Sequence, residues 1–436
     1  MIIKFISNDL KNTNTLKKIN ISFSNAENKD ENENKFKLDK TKVFYTTKKM
    51  TKNLSNDKNL QINIKNIENK YKLLIIQLIA KNLYTFTKYK TEKSKEFILY
   101  ILDHHKNKDF VKDIIHQINI TNINRDFQNE PSNIIYPQTF CDYSKNLLGK
   151  HKHLDIKVLD DKELKKQGFN LIYQLGQSSV NSPRFMIINY LQSSKYKTIC
   201  LIGKGVTFDL GGVNIKPSDS TLFEMKSDKT GGCTVVALMK YIIDTKMKIN
   251  VIGLIPLIEN VISGSSIKPG DIVKSYNGTT VEMLDQNAEG RGIMGDALGF
   301  ADTLKNIDYI MNLSTLTGAA AYYHCDTTAA ILTLNKKLQN KIEEISEEVG
   351  ERVYFLPPWP EYVEDIESDI ANVKNLYYNN CKQSGSFMAG MFLLKFVPKE
   401  LQNRWIHFDI THSYSGHLSN ANTTILLINL LKYLSK

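Results

Sequence analysis

The sequence predicts an α/β protein in which a mixed, mostly parallel sheet with helices on both faces forms the larger C-terminal domain, preceded by a smaller N-terminal α/β domain. Two observations carry this reading. Beyond residue 168, apolar runs of strand length (RFMIINY, YKTICLIG, INVIGLIPLI, DYIMNLSTLTG and RWIHFDI) alternate with helix-like stretches around 231–245, 290–305, 336–349 and 385–397. The runs are near-continuously apolar, as strands buried on both faces are. In sheets of that kind, ligands bind at polar residues just past the strand ends.

At 436 residues, with 42% hydrophobic and 24% charged, the chain is long enough for two domains with real cores and too apolar for wholesale disorder. Residues 1 to about 70 are crowded with Asn, Lys, Asp and Glu. The stretch SNAENKDENENKFKLDK has almost nothing to bury, which predicts a disordered loop near 25–40. YKLLIIQLIAKNLYTF and EFILYILDHH then supply a helix and a strand that complete an N-terminal domain over 1–105. The second domain, 106–436, begins with KDFVKDIIHQINITNINRDF, apolar at helical spacing, and NEPSNIIYP supplies the Asn, Pro and Ser that stop that helix.

The net charge of +11 permits weak attraction to polyanions. Lys and Asn are abundant along the whole chain and no compact basic helix stands out, so a nucleic-acid partner is disfavoured. No stretch approaches the roughly 18 uninterrupted apolar residues of a membrane helix, and MIIKFISNDLKNTNTL lacks a signal peptide's apolar core. The five cysteines are far apart and form no C-x-x-C pair. They read as reduced thiols of a cytoplasmic protein.

Two segments concentrate charge in apolar, glycine-rich surroundings. LIGKGVTFDLGGVNIKPSDSTLFEMKSDKTGG places Lys204, Asp209, Lys216 and Asp228 among paired glycines. Ionised groups near a strand end are costly to desolvate unless paired or metal-bound, and glycines let backbone approach a ligand; surface salt bridges between two loops are the plainer alternative. In VEMLDQNAEGRGIMGDAL, Asp285, Asn287 and Glu289 alternate before a helix expected to start at Gly290, so on an extended segment three oxygen donors face one side. An N-terminal capping arrangement also accounts for those acids. Taken together, the two segments suggest a carboxylate metal site suited to Mg²⁺, Mn²⁺ or Zn²⁺, and hence a two-metal hydrolase.

Other chemistries fit less well. SDKTGG resembles the D-K-T-G of phosphoryl-aspartate transferases, but STLFEMK before it is not an apolar strand and no G-D-G-x-N-D loop follows. GKGVT lacks the G-x-x-x-x-G-K-[ST] of a phosphate loop, and no H-E-x-x-H occurs among the nine histidines. His407 and His412, flanking RWIHFDI, read as core or rim residues. Cys141, Cys200 and Cys233 lack a basic partner to favour a thiolate.

The first segment resembles the metal-binding signature of the leucine aminopeptidase (cytosol aminopeptidase) family, G-K-G-I-T-F-D-S-G-G followed by a lysine and M-[KR]-x-D-x-x-G. The second is similar to its N-T-D-A-E-G-R box. RDFQNEPSNIIYP, NLSTLTGA and ESDIANVKN match further family stretches in order, over about residues 120–415. The resemblance implies a di-metal aminopeptidase that removes the N-terminal amino acid from short peptides, a metal-bridged hydroxide attacking the scissile carbonyl. It implies that Lys204, Asp209, Asp228 and Glu289 bind two divalent ions (Mn or Zn, with Mg or Co as alternatives), with Asp209 and Glu289 bridging and Lys204 neutral. Lys216 would polarise the carbonyl or stabilise the gem-diolate, and Arg291 would anchor a bicarbonate acting as general base. The Leu316 and Gly318 backbone would hold substrate, and Met225, Thr315 and Gly318 would line the pocket for its first side chain. A homohexamer is usual in the family. A weakened or inactive relative with a binding or scaffold role, DNA included, is the alternative.

Several departures bear on these roles. The box reads DQNAEGR here, so Asn287 replaces a ligating Asp, while Asp285 appears two residues earlier on the expected same side. As a neutral donor, Asn287 should hold the more exchangeable metal less tightly. One extra residue separates Lys216 from Asp228. The family's D-I-A-G reads DITH, so Thr411 and Tyr414 would narrow or polarise the specificity pocket.

Overall fold

The computed structural model describes residues 2–6, 17–20, 59–91, 98–217, 222–324, 328–376, 385–411, 414–415 and 418–436; the loop expected near 25–40 lies outside them, as do Cys325, Cys381 and His412. The chain divides into two compact units, Met1–Asn122 with Glu347–Gly350, and Ile123–Ser346 with Glu351–Lys436.

The first unit carries a four-stranded sheet of β1 (Ile2–Ile6), β2 (Lys17–Asn20), β3 (Asn59–Asn63) and β4 (Ile98–Leu102), in the order β1-β4-β3-β2 and parallel throughout. Helix α1 (Asn69–Leu83) follows β3 and buries Leu74, Ile75, Ile76 and Ile79. A buried ion pair, Lys72 Nζ to Asp103 Oδ2 at 2.6 Å, joins this helix to the chain just after β4. The 22-residue helix α2 (Lys108–Asn129) crosses the division between the units.

The second unit is built on a nine-stranded sheet of β5 (Leu154–Leu159), β6 (Arg184–Tyr190), β7 (Thr198–Gly203), β8 (Gly205–Asp209), β9 (Asn250–Asn260), β12 (Tyr309–Ser314), β13 (Thr328–Leu332), β14 (Arg352–Phe355) and β16 (Trp405–Asp409). The three-stranded sheet of β10 (Asp271–Lys274), β11 (Thr280–Met283) and β15 (Val373–Lys374) is separate. In the large sheet the order is β14-β13-β16-β12-β7-β9-β6-β5, with β8 also paired to β9. The central run β16-β12-β7-β9 is parallel, whereas β13 on β16, and β6 and β5 beyond β9, are antiparallel. This is the mixed, mostly parallel sheet expected from the apolar runs.

Every residue of β7 and of β9 is buried, which requires cover on both faces. Among the flanking helices are α3 (Asn170–Gly176), α4 (Thr230–Thr245) and α5 (Glu289–Ala301). Cys200 and Ile202 of β7 share one apolar cluster with Ile293 and Met294 of α5. Close backbone approach fixes the N-terminus of α4: a Cβ on Gly231 would lie 2.1 Å from the Leu313 carbonyl oxygen, and one on Gly203 would lie 2.6 Å from that of Gly231. The Lys204 N–H donates to the Leu313 carbonyl at 3.0 Å and the Gly232 N–H to the Lys204 carbonyl at 2.7 Å. The ends of β7 and β12 and the start of α4 are thereby stitched together where the strands terminate.

Helix α5 is anchored by Asp296, which is fully buried and accepts the Ile172 N–H of α3 at 3.0 Å and the Tyr276 N–H at 2.8 Å. Burial raises the Asp296 carboxyl to about 7, against the pull of those backbone donors. A carboxyl raised in the folded state contributes stability that is fully present below its ordinary value and is lost as pH rises through the raised one. The stability difference between the wild type and Asp296→Asn is therefore expected to be largest near pH 4 and to shrink as pH approaches 8, measured as paired urea midpoints. A difference constant across that range would mean that Asp296 keeps its charge throughout.

Candidate metal centre

Four chain segments meet past the C-terminal ends of the parallel strands. Lys204 follows β7 directly, Asp209 ends β8, Asp228 precedes α4, and Glu289 opens α5. Carboxylate oxygens of Asp209, Asp228 and Glu289 lie within 4.8 Å of one another, and all three residues are buried. Three such charges cannot stand together in an apolar interior without cations. Lys204 Nζ lies 2.8 Å from both Asp228 Oδ2 and Glu289 Oε1 and donates to the Thr315 carbonyl at 3.0 Å. Lys216 Nζ lies 2.7 Å from Asp209 Oδ2 and also donates to Asn287 Oδ1.

The electrostatics follow from this crowding. Burial opposes a charged Lys204, yet Asp228, Glu289 and Asp209 together outweigh it and hold the ammonium above the usual lysine range. Burial, with Glu289 and Asp228 as like charges, lifts the Asp209 carboxyl to about 7 despite Lys216 and Lys204. Burial also raises Asp228, whereas at Glu289 it is outweighed by Lys204 and Lys216, and that carboxyl is lowered. Glu289 additionally sits in the first turn of α5, where a helix N-terminus favours an anion.

The donor set fits hard or borderline divalent cations, being three carboxylates and an amine with neither thiolate nor imidazole among them. Among the described residues Asp228 Oδ2 and both Glu289 oxygens are buried without a hydrogen-bond partner, Asp228 Oδ2 and Glu289 Oε1 meeting only the Lys204 ammonium as an ion pair, a condition that a bound cation would relieve. The other oxygens are held by the protein: Asp209 Oδ1 by the Gly211 N–H and Asn260 Nδ2 at 2.9 and 2.8 Å, Asp209 Oδ2 by Lys216 Nζ, and Asp228 Oδ1 by Thr315 Oγ1 at 2.7 Å.

Residues 122–427 match the model of the cytosol aminopeptidase family catalytic domain. A probable cytosol aminopeptidase of Persephonella marina is 35% identical over 353 residues, covering 80% of this chain and 70% of the relative. That of Chlorobium limicola is 37% identical over 318 residues, covering 71% and 62%. The chain belongs to the cytosol aminopeptidase family. It is a metal-dependent aminopeptidase, a hydrolase of peptides. Among solved structures, the bottromycin maturation enzyme BotP in complex with Mn superposes with a TM-score of 0.81 at 24% identity, over 91% of this chain and 88% of that one. That likeness speaks to the fold. No helix among the described residues is long and apolar enough to cross a membrane.

The site of this aminopeptidase departs from the sequence reading around residue 287. Residues Gln286–Ala288 form a 3₁₀ turn, not an extended strand, so period-two alternation does not apply to Asp285, Asn287 and Glu289. Asp285 caps that turn, its Oδ1 accepting the Asn287 N–H at 2.8 Å. It does not join the carboxylate cluster, and among the described residues no further acid joins Asp209, Asp228 and Glu289 in place of the charge that Asn287 lacks. The extra residue before Asp228 is absorbed, since Asp228 reaches Lys204 and Thr315.

The remaining residues spread outward. Arg291 is buried and donates Nη1 to the Asn375 carbonyl at 2.8 Å. Thr315 is buried against Asp228, Gly318 is exposed, and Met225 and Leu316 are half-buried. The Leu316 N–H donates to Asp409 Oδ1 at 3.2 Å. Thr411 donates to the same Asp409 oxygen at 2.7 Å. Tyr414 lies in the short strand Tyr414–Ser415, and its side chain is outside the described residues. His407 is fully buried with Nδ1 2.6 Å from Asn312 Nδ2, a core residue and no pocket wall.

Four supporting residues were not singled out by sequence. Asn260 bridges Asp209 Oδ1 and the Gln286 carbonyl, both at 2.8 Å. Asn375 takes the Leu284 and Asp285 N–H groups on Oδ1 at 2.7 and 3.2 Å and donates to the Asp285 carbonyl at 2.6 Å. Asp409 holds Thr317 Oγ1 at 2.7 Å. For Asn375 a signal existed, the ESDIANVKN match; lone polar residues such as Asn260 offered none. The fourth is Gly290, where a Cβ would fall 2.6 Å from Lys204 Cε and 2.7 Å from Nζ. Gly290→Ala is expected to push Lys204 off Asp228 and Glu289 and to lower kcat/KM by about 100-fold or more, equal to about 3 kcal/mol. Because the displaced ammonium leaves Asp228 and Glu289 buried without their counter-charge, the unfolding midpoint should fall as well. Steady-state hydrolysis and thermal unfolding of the same preparation check both halves.

Proposed function

We propose that the chain releases the N-terminal amino acid from short peptides, using two divalent ions held by Lys204, Asp209, Asp228, Asn287 and Glu289. The observation that carries the reading is the buried cluster of Asp209, Asp228 and Glu289 around Lys204, in which Asp228 Oδ2 and both Glu289 oxygens have no hydrogen-bond partner among the described residues. When bound, such ions supply Lewis-acid polarisation of the scissile carbonyl and a lowered pKa for the attacking water. Mn²⁺ or Zn²⁺ suits the donors best, with Mg²⁺ and Co²⁺ as weaker fits.

The chain's own groups have distinct tasks in this reading. Lys216, whose side chain is 20% exposed, is the cation that can meet an oxyanion developing on the substrate, and Asp209 holds its ammonium in place. Lys204 gives up its proton when it becomes a ligand, so metal uptake releases a proton. Arg291 is the anchor for a bicarbonate acting as general base, its guanidinium fork suiting a planar anion. The Leu316 carbonyl and Gly318 backbone orient the peptide, aligned by Asp409 beneath the loop. Met225, Thr315, Thr411 and Tyr414 border the pocket for the first side chain. A homohexamer in the cytoplasm completes the reading, supported by the names of the relatives and the usual assembly of the family.

The decisive experiment is release of the N-terminal residue from a panel of aminoacyl amides by metal-stripped protein titrated with Mn²⁺, Zn²⁺, Co²⁺ or Mg²⁺, with Glu289→Ala as the blank. Activity should require added metal and vanish in the blank; folded protein inactive at every metal concentration would sink the reading. Asn287→Asp restores a charged donor beside Lys216 and is expected to lower the half-activating metal concentration by about 10-fold, on the scale of one added ionic contact. Lys216→Ala should lower kcat by about 100- to 1,000-fold, the range for losing one oxyanion donor.

A further inference from the structure

We propose that Lys229 is a positioning residue for the metal centre: its buried ammonium, held by three main-chain carbonyls, fixes where Asp228 stands. The inference rests on the reading of Asp228 as a metal ligand.

Lys229 is completely buried. Its Nζ donates to the carbonyl oxygens of Gln128 at 3.2 Å, Glu130 at 2.9 Å and Lys226 at 2.5 Å. An ammonium has three N–H donors, so the group is saturated. None of those bonds is to a carboxylate.

The three acceptors come from two separate places. Gln128 lies in the last turn of α2 and Glu130 just past its end, where helix carbonyls lose their partners and the negative end of the dipole gathers. Lys226 belongs to the 3₁₀ turn Leu222–Ser227 that leads into Asp228. Lys229 itself is the N-cap of α4, with φ −87° and ψ 2°. One ammonium therefore ties the end of α2 to the turn and to the N-cap of α4, and Asp228 stands between the turn and that N-cap.

Desolvating a lone ammonium is expensive, and an apolar side chain of similar length would fill the volume without that cost. It would also take away the N–H donor that each of the three carbonyls now has in Lys229, so the loop would shift to find water or other partners. Among the described residues Thr315 Oγ1 and Lys204 Nζ orient the Asp228 carboxylate. A shift of its backbone carries the carboxylate away from Lys204 and Glu289, and with it one corner of the cluster. The end of α2 is itself held firmly: Asn129 Oδ1 accepts the Ser419 N–H at 2.8 Å and Gln128 Nε2 donates to Asn124 Oδ1 at 2.8 Å. The staple thus transmits a fixed position to Asp228.

The test is Mn²⁺ binding to the metal-stripped full chain by titration calorimetry, for wild type, Lys229→Met, Lys229→Arg and Glu289→Ala, beside metal-free thermal unfolding. Loss of a group that orients a metal ligand typically costs about 10- to 100-fold in metal affinity. Lys229→Met should weaken Mn²⁺ binding by that factor, Lys229→Arg by less, at a temperature where each protein is folded. At saturating Mn²⁺, KM for an aminoacyl amide should stay near the wild-type value while kcat falls. Wild-type Mn²⁺ affinity in folded Lys229→Met overturns the proposal and leaves Lys229 a support for stability alone. Should that variant not fold, Lys229→Arg decides: a larger planar fork in the same carbonyl cage must move Asp228, so wild-type affinity there overturns it equally. A wild-type protein that binds no Mn²⁺ would overturn the metal reading itself, a result distinct from either.

Discussion

Three buried carboxylates within 4.8 Å of one another impose the condition that the rest of the second unit satisfies. Mutual repulsion and desolvation both oppose them, and only cations placed among them make the arrangement tolerable. Among the described residues Lys204 and Lys216 are such cations. Lys204 stands between Asp228 and Glu289, and Lys216 stands against Asp209. The same lysines are the groups a divalent ion would have to compete with or recruit, so metal affinity and internal ion pairing are linked through the same oxygens.

Holding those charges in register demands backbone contacts closer than side chains permit. Gly203, Gly231 and Gly290 are the positions where a Cβ would meet a carbonyl or the Lys204 side chain. They let the N-terminus of α4 and the first turn of α5 approach the ends of β7 and β12. Behind that layer, polar residues act as struts: Asn260 under Asp209, Asn375 under the Leu284–Asp285 segment, Asp409 under the Thr315–Thr317 segment, and Lys229 behind Asp228. Each links two chain segments far apart in sequence, which is why each matters to geometry without touching a reacting atom.

Much of the fold was legible because the apolar runs are long and consistent. RFMIINY, INVIGLIPLI and RWIHFDI became β6, β9 and β16, and the helix expected over 336–349 is Lys336–Val349. The alternation argument at Asp285, Asn287 and Glu289 failed for a local reason. Asp285 is followed by a residue whose N–H it can accept, and the capping bond closes a 3₁₀ turn in place of an extended run. The capping alternative noted from sequence was thus the correct one for Asp285, and the carboxylate that seemed displaced was spent on the turn.

What the sequence by itself determined is the kind of chemistry: glycine-flanked lysines and acids at strand ends, in an order that matches one family of aminopeptidases. Hydrophobic periodicity and local motif spacing are short-range properties, and a chain displays them without being folded. Only the tertiary structure decided which acids converge, which lysine faces which carboxylate, and that Asn287 goes uncompensated. Except for Lys216 and Asp209, those are distances between residues far apart in the chain, such as Lys204 to Asp228 or to the Thr315 carbonyl 111 positions on, set by sheet register and helix packing. Lys229 illustrates the difference most plainly, since an isolated lysine in SDKTGG reads as a solvated charge until the fold buries it and three main-chain carbonyls take its ammonium's hydrogen bonds.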